Sequence, residues 1–466
     1  MGGLFGVVSR NECINDLFYG TDYHSHLGTL RGGLAIKNSG LFTRFIHSIE
    51  NAQFRSKFQD DIIKMHGNEG IGVISDNEDQ PVLIRSHLGN YAIVTVGLIN
   101  NTEELARKAF GNRKTHFSEM SGGIINPTEL VGSLINQGRD FTEGIQIAQK
   151  SIKGSCSMLL LTENGIYAAR DYLGRTPLVT GEKENAFAIT SESCAFPNLG
   201  FEIKKYLGPG EIVLITQEGI EQKKAPEKNM KICAFLWVYY GYPASSYEGI
   251  NVEQVRNKCG AFLAKKSTIK IDFVAGIPDS GIAHGLGFAS EAGIPFKRPF
   301  VKYTATWARS FMLYHQSERE LVAKMKLIPI KNLIEGKKLL FCEDSIVRGT
   351  QLKDTIQRLY DFGALEVHMR PACPPLVYKC KFLNFSSSKS ELDLAARKAV
   401  KLLEGENPEN LSEYADSDSK KHAAMVEEIR KRLKLTTLEY QRLDDLVKAI
   451  GLPKNKLCTY CWDGKE

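Results

Sequence analysis

The sequence predicts two domains of different class, a layered α+β domain followed by a doubly wound α/β domain. Over residues 1–231, short apolar runs alternate with glycine and asparagine turns, and helical patterns lie between them. Later in the chain, apolar runs are separated by helical patterns, as in parallel strands with crossover helices; these runs are 272–277, 339 onward and 365–369. The polar stretch 223–231 marks the boundary between the two domains.

Composition narrows the class of protein. The chain has 466 residues, of which 42% are hydrophobic and 24% charged, so it is globular and long enough for two to three domains. The net charge of +6 suits polyphosphate substrates as well as many others, and we expect no nucleic-acid partner. No apolar run could span a bilayer and no signal peptide is indicated. Ten cysteines without a secretion signal argue against a disulfide scaffold, so we expect a cytoplasmic protein without a membrane partner.

The first domain is predicted to alternate short strands with helices. The apolar runs that predict strands are Gly3 to Val8, Gly70 to Ile74, Tyr91 to Leu98, Ser157 to Thr162 and Ile212 to Thr216. Stretches with helical periodicity are Thr102 to Ala109, Pro127 to Asn136 and Phe141 to Ile152. After Ser386 the composition becomes charge-rich, and 391–435 is predicted helical with a loop at 407–420. We therefore expect a first domain over 1–230, a second over 231–385 and a helical C-terminal extension over 386–466.

The most informative stretch follows the strand predicted to begin at Leu339. Two acids, Glu343 and Asp344, end that strand, and a short loop leads into a helix predicted from Leu352 to Tyr360. A strand, a small-residue loop and a helix N-terminus make an anion site, because backbone N–H groups converge there and the helix dipole favours phosphate. The acidic pair stands where carboxylates hold ribose hydroxyls or hydrated magnesium. The alternative, a surface turn with a chance acidic pair, fits this order of residues less well.

The heptapeptide Asp344-Ser345-Ile346-Val347-Arg348-Gly349-Thr350 resembles the phosphoribosyl pyrophosphate loop of type I phosphoribosyltransferases. Its sequence is similar to the version found in glutamine amidophosphoribosyltransferases, which make phosphoribosylamine in the first committed step of purine synthesis. The resemblance implies an α/β type I phosphoribosyltransferase domain that binds phosphoribosyl pyrophosphate and Mg²⁺. Together with Glu343, all seven loop residues are then expected to contact the substrate.

A second turn resembles the pyrophosphate-binding turn of the same family. Ile277-Pro278-Asp279-Ser280-Gly281 follows an apolar run and precedes a helical stretch from Ala283 to Ala292. The resemblance implies that Pro278 to Gly281 meet the pyrophosphate and that magnesium is held by Ser280, Glu343 and Asp344. An ordinary proline turn before a helix is the alternative, but the turn lies upstream of the acidic loop in the family's order.

The first domain is similar to the same family's glutaminase half, an N-terminal-nucleophile-type, class II glutamine amidotransferase-like domain. Its landmarks occur in the same order; they are Arg31-Gly32, Gly70-Ile71-Gly72, Gln80-Pro81, Thr128-Glu129, Arg170-Asp171, Gly174, Pro177-Leu178, Ser191-Glu192-Ser193 and Pro209-Gly210-Glu211. In the family a cysteine that follows the initiator Met attacks the amide, with its own α-amine as base. Gly2 stands there instead, and Cys13 lies too far along the chain to expose an α-amine.

Other positions of the glutamine site are changed as well. Ser75 stands where the family has the arginine that holds the glutamine carboxylate, and Val96 replaces the oxyanion-hole asparagine, although Gly97 remains. Pro127 stands where an aspartate would bind the glutamine amine. A glutamine site without nucleophile, clamp, oxyanion donor and amine anchor cannot work. We therefore predict a degenerate glutaminase domain that serves a structural or regulatory purpose.

The segment that begins at Phe300-Val301-Lys302 resembles the family's flexible lid. A closing lid protects an oxocarbenium-like centre from water, and its basic side chains neutralise the leaving pyrophosphate. The resemblance implies that Arg309 and Lys326 serve the reaction, with Arg319 beside them. A solvated basic helix is the alternative for these three residues. The family's Asn-Arg-Tyr-Val-Gly is replaced by 303–308, so this part of the segment departs from the family's lid.

The chain ends in a C-x-x-C pair, Cys458-Thr459-Tyr460-Cys461. Alone, the pair fits a zinc knuckle or two unligated thiols. One branch of the family binds a [4Fe–4S] cluster through four cysteines so placed, which here are Cys233, Cys380, Cys458 and Cys461. Four thiolates suit zinc as well as such a cluster, and the resemblance favours the cluster, in a structural role. Cys342 and Cys373 match no ligand position and are expected in the core.

These observations predict an amidophosphoribosyltransferase-like protein of purine biosynthesis. It is expected to bind phosphoribosyl pyrophosphate and to form 5-phosphoribosylamine with free ammonia rather than glutamine. The alternatives are a non-catalytic regulatory paralogue that senses phosphoribosyl pyrophosphate or purine nucleotides, and a transferase with another amine acceptor. The family also implies purine nucleotides as inhibitors and a homo-oligomer, a dimer or tetramer.

Overall fold

The computed structural model divides the chain into two compact units. It describes residues 2–76, 78–111, 117–118, 120–121, 123–303, 327–383, 390–405 and 408–466. The first unit holds the described residues up to Cys233, with 244–249 and 381–383. The second unit holds 234–243, 250–380 and the described residues from 390 to the end. In the described ranges, no helix combines the length and the apolar content that crossing a bilayer requires.

Two antiparallel sheets form the centre of the first unit. The seven-stranded sheet has the order β13-β11-β12-β1-β4-β2-β3, with β1 (Gly3–Ser9), β2 (Arg31–Asn38), β3 (Leu41–Ser48), β4 (Glu69–Ser75), β11 (Val179–Lys183), β12 (Ala186–Thr190) and β13 (Glu202–Tyr206). The six-stranded sheet has the order β15-β14-β10-β9-β6-β5, with β5 (Val82–Ser86), β6 (Gly89–Ile99), β9 (Gly154–Thr162), β10 (Gly165–Ala169), β14 (Ile212–Thr216) and β15 (Gly219–Lys224). Leu4 and Ile71 of one sheet pack on Leu159 and Ile166 of the other.

Helices cover both outer faces of these sheets. The helices are α1 (Ile14–Asp22), α2 (Phe54–Ile62), α3 (Thr102–Gly111), α4 (Pro127–Ile135), α5 (Phe141–Ser151) and α6 (Ala195–Leu199). Leu17 and Phe58 pack on the seven-stranded sheet, whereas Leu130 and Ile145 pack on the six-stranded one. Short strands complete the unit: β7 (Met120–Ser121), β8 (Ile124–Ile125), β16 (Ile232–Cys233) and β17 (Ser246–Tyr247). The layered α+β class predicted for this part is confirmed.

A parallel sheet forms the centre of the second unit. Its order is β19-β22-β23-β24, with β19 (Phe273–Gly276), β22 (Lys338–Glu343), β23 (Glu366–Pro371) and β24 (Thr437–Leu438). On one face lie α7 (Val252–Lys266) and α8 (Gly281–Ala292), through Leu263 and Phe288. On the other lie α10 (Thr350–Asp361), α11 (Ala395–Glu404) and α13 (Lys420–Leu433). Helices on both faces of a parallel sheet confirm the predicted α/β class.

The other elements of this unit are short. They are a π-helix (Leu236–Tyr240), β18 (Ile250–Asn251), β20 (Phe300–Lys302), β21 (Leu327–Pro329), α9 (Lys331–Ile334), α12 (Leu411–Ala415), α14 (Leu443–Ile450), β25 (Leu457–Cys458), α15 (Tyr460–Asp463) and two 3₁₀ turns (Glu391–Asp393 and Lys454–Lys456).

The C-terminal region is part of the second unit, whereas the sequence suggested a separate extension over 386–466. Ala399 of α11 and Ile429 of α13 share one core with Phe341 of β22 and Met369 of β23. The charged residues that set this region apart in composition occupy the solvent faces of these helices, and the apolar faces cover the sheet.

Candidate functional site

Two loops leave the carboxyl ends of neighbouring parallel strands and lie side by side. One runs over 277–280 after β19, and the other over 344–349 after β22. The Ile277 N–H donates to the Cys342 carbonyl at 3.0 Å and so extends the ladder beyond β19. A Cβ on Gly281 would lie 2.4 Å from the Cys342 carbonyl oxygen, so only glycine lets α8 begin directly against β22. The carboxyl edge of such a sheet is where α/β proteins bind ligands.

Asp344 lies at the centre of this edge and is only 5% exposed. Its Oδ2 accepts a hydrogen bond from the Ser280 hydroxyl at 2.5 Å, and its Oδ1 accepts one from the Ser345 hydroxyl at 2.5 Å. Ser280 precedes α8, and Ser345 belongs to the loop before α10. The structure therefore brings together predicted substrate residues from both loops.

Glu343 is buried beside Asp344, so two carboxyl groups are neighbours at this edge. Burial and the neighbouring Asp344 carboxylate raise the pKa of Glu343 well above its ordinary value. The hydroxyl of Ser280 and the two carboxylates supply hard oxygen donors, which Mg²⁺ prefers. In the described ranges, no three His, Cys, Asp or Glu side chains are grouped as a metal site.

The loop from Ile346 to Thr350 presents backbone to solvent and an apolar anchor to the core. The Ile346 side chain is buried in the core under the sheet, and the Val347 carbonyl accepts the Ala395 N–H at 2.7 Å. Gly349 has a φ of +72°, which lets the chain turn sharply into α10 at Thr350. Arg348 and Thr350 are exposed. Ile346 therefore holds the loop in place, while the helix start offers N–H groups to an anion.

Two side chains at this edge were not identified from the sequence. Lys302, the last residue of β20, places its Nζ 2.6 Å from Asp279 Oδ2. Burial and the Asp344 and Glu343 carboxylates raise the pKa of Tyr239, which therefore lies near the acidic pair. The buried Arg256 guanidinium holds the π-helix of Tyr239 by donating to two of its carbonyls, Trp237 (3.1 Å) and Tyr239 (2.9 Å), and to the carbonyl of Gly241 (2.8 Å), which follows the helix. The aromatic run 235–240 is the sequence signal for this element.

The start of the first unit leaves no room for a nucleophilic side chain. Gly2 is buried, and a Cβ on it would lie 2.4 Å from the Ile74 carbonyl oxygen and 3.0 Å from Val96 Cγ1. Pro127 is the first residue of α4, which the Asn126 side chain caps by accepting the Thr128 N–H at 2.9 Å. The proline side chain at that position offers no acceptor for an amine.

The residue next to Ser75 carries a negative charge. Ser75 is buried, and the neighbouring Asp76 accepts the Thr29 backbone N–H at 2.6 Å. Arg31 lies nearby on β2 and is paired with Asp79 at 2.8 Å and Glu50 at 3.1 Å.

The C-terminal cysteines lie in a segment that backbone hydrogen bonds tie to distant parts of the chain. The Cys461 carbonyl accepts the N–H groups of Val377 and Tyr378 at 3.1 Å each, two residues before Cys380 in the second case. The Cys458 carbonyl accepts the N–H of Ala234 at 3.2 Å, the residue after Cys233. All cysteines are free of disulfides. Cys233 belongs to the first unit and Cys380, Cys458 and Cys461 to the second. The described residues, which include all four cysteines, contain no group of three His, Cys, Asp or Glu side chains that could hold a metal ion.

The remaining predicted positions divide into two groups. Cys342 and Cys373 are buried, and burial raises the pKa of both thiols. Arg309, Arg319 and Lys326 lie outside the described residues.

Comparison with known proteins extends over the whole chain. Residues 69–198 match a family described as a glutamine amidotransferase domain. The amidophosphoribosyltransferase of Methanocaldococcus jannaschii is 31% identical, over 100% of this chain and 97% of the relative. The amidophosphoribosyltransferase of Bacillus subtilis is 29% identical, over 99% of this chain and 93% of the relative.

Solved structures agree with these relatives. A glutamine phosphoribosylpyrophosphate amidotransferase from B. subtilis, complexed with ADP and GMP, has a TM-score of 0.84 at 28% identity, over 99% of this chain and 96% of that one. A structure described as the allosteric regulatory enzyme of purine biosynthesis has a TM-score of 0.82 at 28% identity, over 99% of this chain and 95% of that one. The predicted order of an N-terminal-nucleophile-type domain and a type I phosphoribosyltransferase domain is thereby confirmed.

Proposed function

The chain belongs to the amidophosphoribosyltransferase family, and from that premise we propose that it makes 5-phosphoribosylamine from phosphoribosyl pyrophosphate and free ammonia rather than glutamine. One contrast supports this proposal. In the acidic loop, which runs over 344–349, both carboxylate oxygens of Asp344 accept hydrogen bonds. Gly2, in contrast, has no side chain and no space for one. The family's transferase chemistry is thus kept without its usual source of ammonia.

The proposed binding mode follows from the donors and acceptors at the sheet edge. The N–H groups at the start of α10 and the hydroxyls of Ser345 and Thr350 take the 5′-phosphate. The Glu343 and Asp344 carboxylates accept hydrogen bonds from the ribose hydroxyls. The turn from Pro278 to Gly281 takes the pyrophosphate, and Mg²⁺ held by Ser280, Glu343 and Asp344 would neutralise its charge.

The proposed reaction is a displacement at C1 of the ribose. The nitrogen lone pair of ammonia forms the new C1–N bond while the C1–O bond to pyrophosphate breaks, and the pyrophosphate leaves with that electron pair. The attached nitrogen then loses one proton to solvent. Tyr239 and Lys302 border the site, where Lys302 can release Asp279 and turn to the leaving group. Arg309 and Lys326 are proposed to neutralise the pyrophosphate as it departs.

Three further features accompany this proposal. Cys233, Cys380, Cys458 and Cys461 are proposed to hold a [4Fe–4S] cluster in a structural role. Purine nucleotides are proposed as inhibitors, since the B. subtilis structure was obtained with ADP and GMP. A homo-oligomer, dimer or tetramer, is proposed on the family's example.

The test compares nitrogen sources. Purified protein is incubated with phosphoribosyl pyrophosphate and Mg²⁺ and either ammonium chloride or glutamine, and pyrophosphate release is measured. We expect release with ammonia, increasing with pH as more NH₃ is present, and none above background with glutamine. Equal rates with glutamine would overturn the ammonia assignment. Substrate binding without turnover in excess ammonia would favour the regulatory paralogue instead.

A further inference from the structure

Asp344 occupies an unusual place between the two loops of the candidate site. Its partner Ser280 lies 64 residues earlier in the chain, on the loop after β19, while Ser345 lies on its own loop. Each carboxylate oxygen therefore has its own hydroxyl donor, one from each loop. Both bonds measure 2.5 Å, the length of charge-assisted O–H···O⁻ bonds.

The two hydroxyls fix the carboxylate in one orientation. A carboxylate held by one donor can rotate about its Cβ–Cγ bond, but donors on both oxygens define its plane. Asp344 is 5% exposed, so water competes little for these bonds. The Ile277 N–H donates to the Cys342 carbonyl at 3.0 Å, which attaches the start of the loop after β19 to the end of β22. The ligand-free protein thus joins the two loops through one side chain.

We propose that Asp344, held by Ser280 and Ser345, couples the two loops, so that a ligand at one loop strengthens binding at the other. This inference rests on the proposed function, which assigns the pyrophosphate to the first loop and the phosphoribosyl group to the second. Because Asp344 already joins the two loops, a ligand that orders one loop also reduces the motion of the other, and the second ligand then loses less conformational freedom on binding. Ser280 is in this view a positioning residue for the opposite end of the substrate.

The coupling is measured with two half-ligands. One is magnesium pyrophosphate; the other is 1,4-anhydroribitol 5-phosphate, a cyclic sugar phosphate whose C1 carries no oxygen outside the ring and so leaves space for pyrophosphate. Calorimetry on the full chain gives the affinity for the sugar phosphate with and without saturating magnesium pyrophosphate. We expect pyrophosphate to increase that affinity about fivefold or more in the wild type.

Ser280→Ala should reduce this ratio to about one, because the bond between the loops is gone. If the substitution only weakened binding in one half-site, the affinity for the sugar phosphate would change by the same factor with and without pyrophosphate. The ratio of the two affinities would then stay the same. Ser267→Ala is the matched control, since the Ser267 hydroxyl is buried without a hydrogen-bond partner in the described part of the chain. A wild-type ratio of one, or a ratio that Ser280→Ala leaves unchanged, would overturn the inference.

A ligand-free measurement separates this inference from the proposed function. Hydrogen exchange is followed at the amides of 345–350 in wild type, Ser280→Ala and Ser267→Ala. We expect exchange there to be about tenfold faster in Ser280→Ala alone, although the substitution lies on the other loop. Equal exchange in all three proteins contradicts the bridge. Faster exchange in a protein that binds neither half-ligand retains the bridge and rejects the substrate assignment.

Discussion

Gly2 stands at the position where the family's glutaminase nucleophile is expected, and its surroundings leave little space for a side chain. The Ile74 carbonyl and Val96 occupy the space that a Cβ would need. A nucleophile that attacks an amide also needs a hydrogen-bond donor for the oxyanion that forms, and the Val96 side chain supplies none.

Gly2→Cys is therefore expected not to give glutaminase activity. The added Cβ would lie 2.4 Å from a backbone oxygen, so we expect a loss of about 1–3 kcal/mol in stability as the strand shifts. Glutamate release from glutamine is measured alongside Gly2→Ala, which adds the same Cβ without a thiol. Release by the cysteine variant above that of the alanine variant would show that the site is still usable.

His24 is a buried group whose protonation state the fold fixes. Its Nδ1–H donates to the Gly20 carbonyl at 2.9 Å, while Nε2 accepts from the Thr190 hydroxyl at 3.0 Å and the Glu192 N–H at 3.2 Å. A proton on Nε2 would face two donors. Burial, opposed in part by the Glu192 carboxylate, lowers the pKa of His24 from 6.5 to about 4.

Stability should accordingly fall as the pH is lowered from about 6.5 to about 4. In that window the unfolded chain binds a proton at His24 that the folded protein does not, so protons favour unfolding by about 3 kcal/mol in total. Urea unfolding of the first unit, followed across this range, measures the slope. His24→Asn should flatten it, whereas His66→Asn, at an exposed histidine, should not; an unchanged slope in His24→Asn contradicts the assignment.

At the scale of elements, the acidic loop is the feature that the sequence describes best. Local residue order places a strand, two acids and a helix, and the structure has β22 end at Glu343 and α10 begin at Thr350.

We expect Asp344→Asn to weaken binding of phosphoribosyl pyrophosphate at least tenfold, because one charge-assisted contact is worth about 1.5–3 kcal/mol. Calorimetry measures the affinity, with Asp354→Asn on the exposed face of α10 as control. Equal affinities of the Asp344 variant and the wild type would show that phosphoribosyl pyrophosphate does not bind at Asp344.

Features that depend on distant partners were beyond reach of the sequence. The six residues 244–249 belong to the first unit because Glu192 accepts hydrogen bonds from Ser245 and from the Tyr247 hydroxyl, the latter at 2.7 Å. Glu248 pairs with the buried Arg170 at 2.7 Å. The partners in these contacts are separated by more than 50 positions, so no local pattern announces them. Likewise, the aromatic run 235–240 has no helical periodicity, so the sequence does not predict its π-helix. The hydrogen bonds from Arg256 stabilise this element.

At the scale of the whole molecule, the point to explain is how the C-terminal segment with Cys458 and Cys461 is held to the rest of the chain. The last α-helix carries Cys461, whose carbonyl binds the N–H groups of Val377 and Tyr378, and the strand before it carries Cys458. Such short elements are marginal by themselves, since a four-residue helix gains little from its own hydrogen bonds. A cluster bound by cysteines distant in sequence would close long loops and so stabilise this end of the chain.

Protein isolated without oxygen is therefore expected to contain about four iron and four sulfide per chain. Cys458→Ser and Cys461→Ser should each lose the cluster, whereas Cys13→Ala, which removes a buried thiol of the first unit, should keep it. Loss of the cluster should also increase hydrogen exchange at the Val377 and Tyr378 amides, because the carbonyl they bind belongs to Cys461. Metal analysis and exchange measured on the same samples decide the matter. Stoichiometric zinc without iron or sulfide would replace the cluster by a zinc site, and a metal-free protein with protected amides would show that packing alone holds this segment.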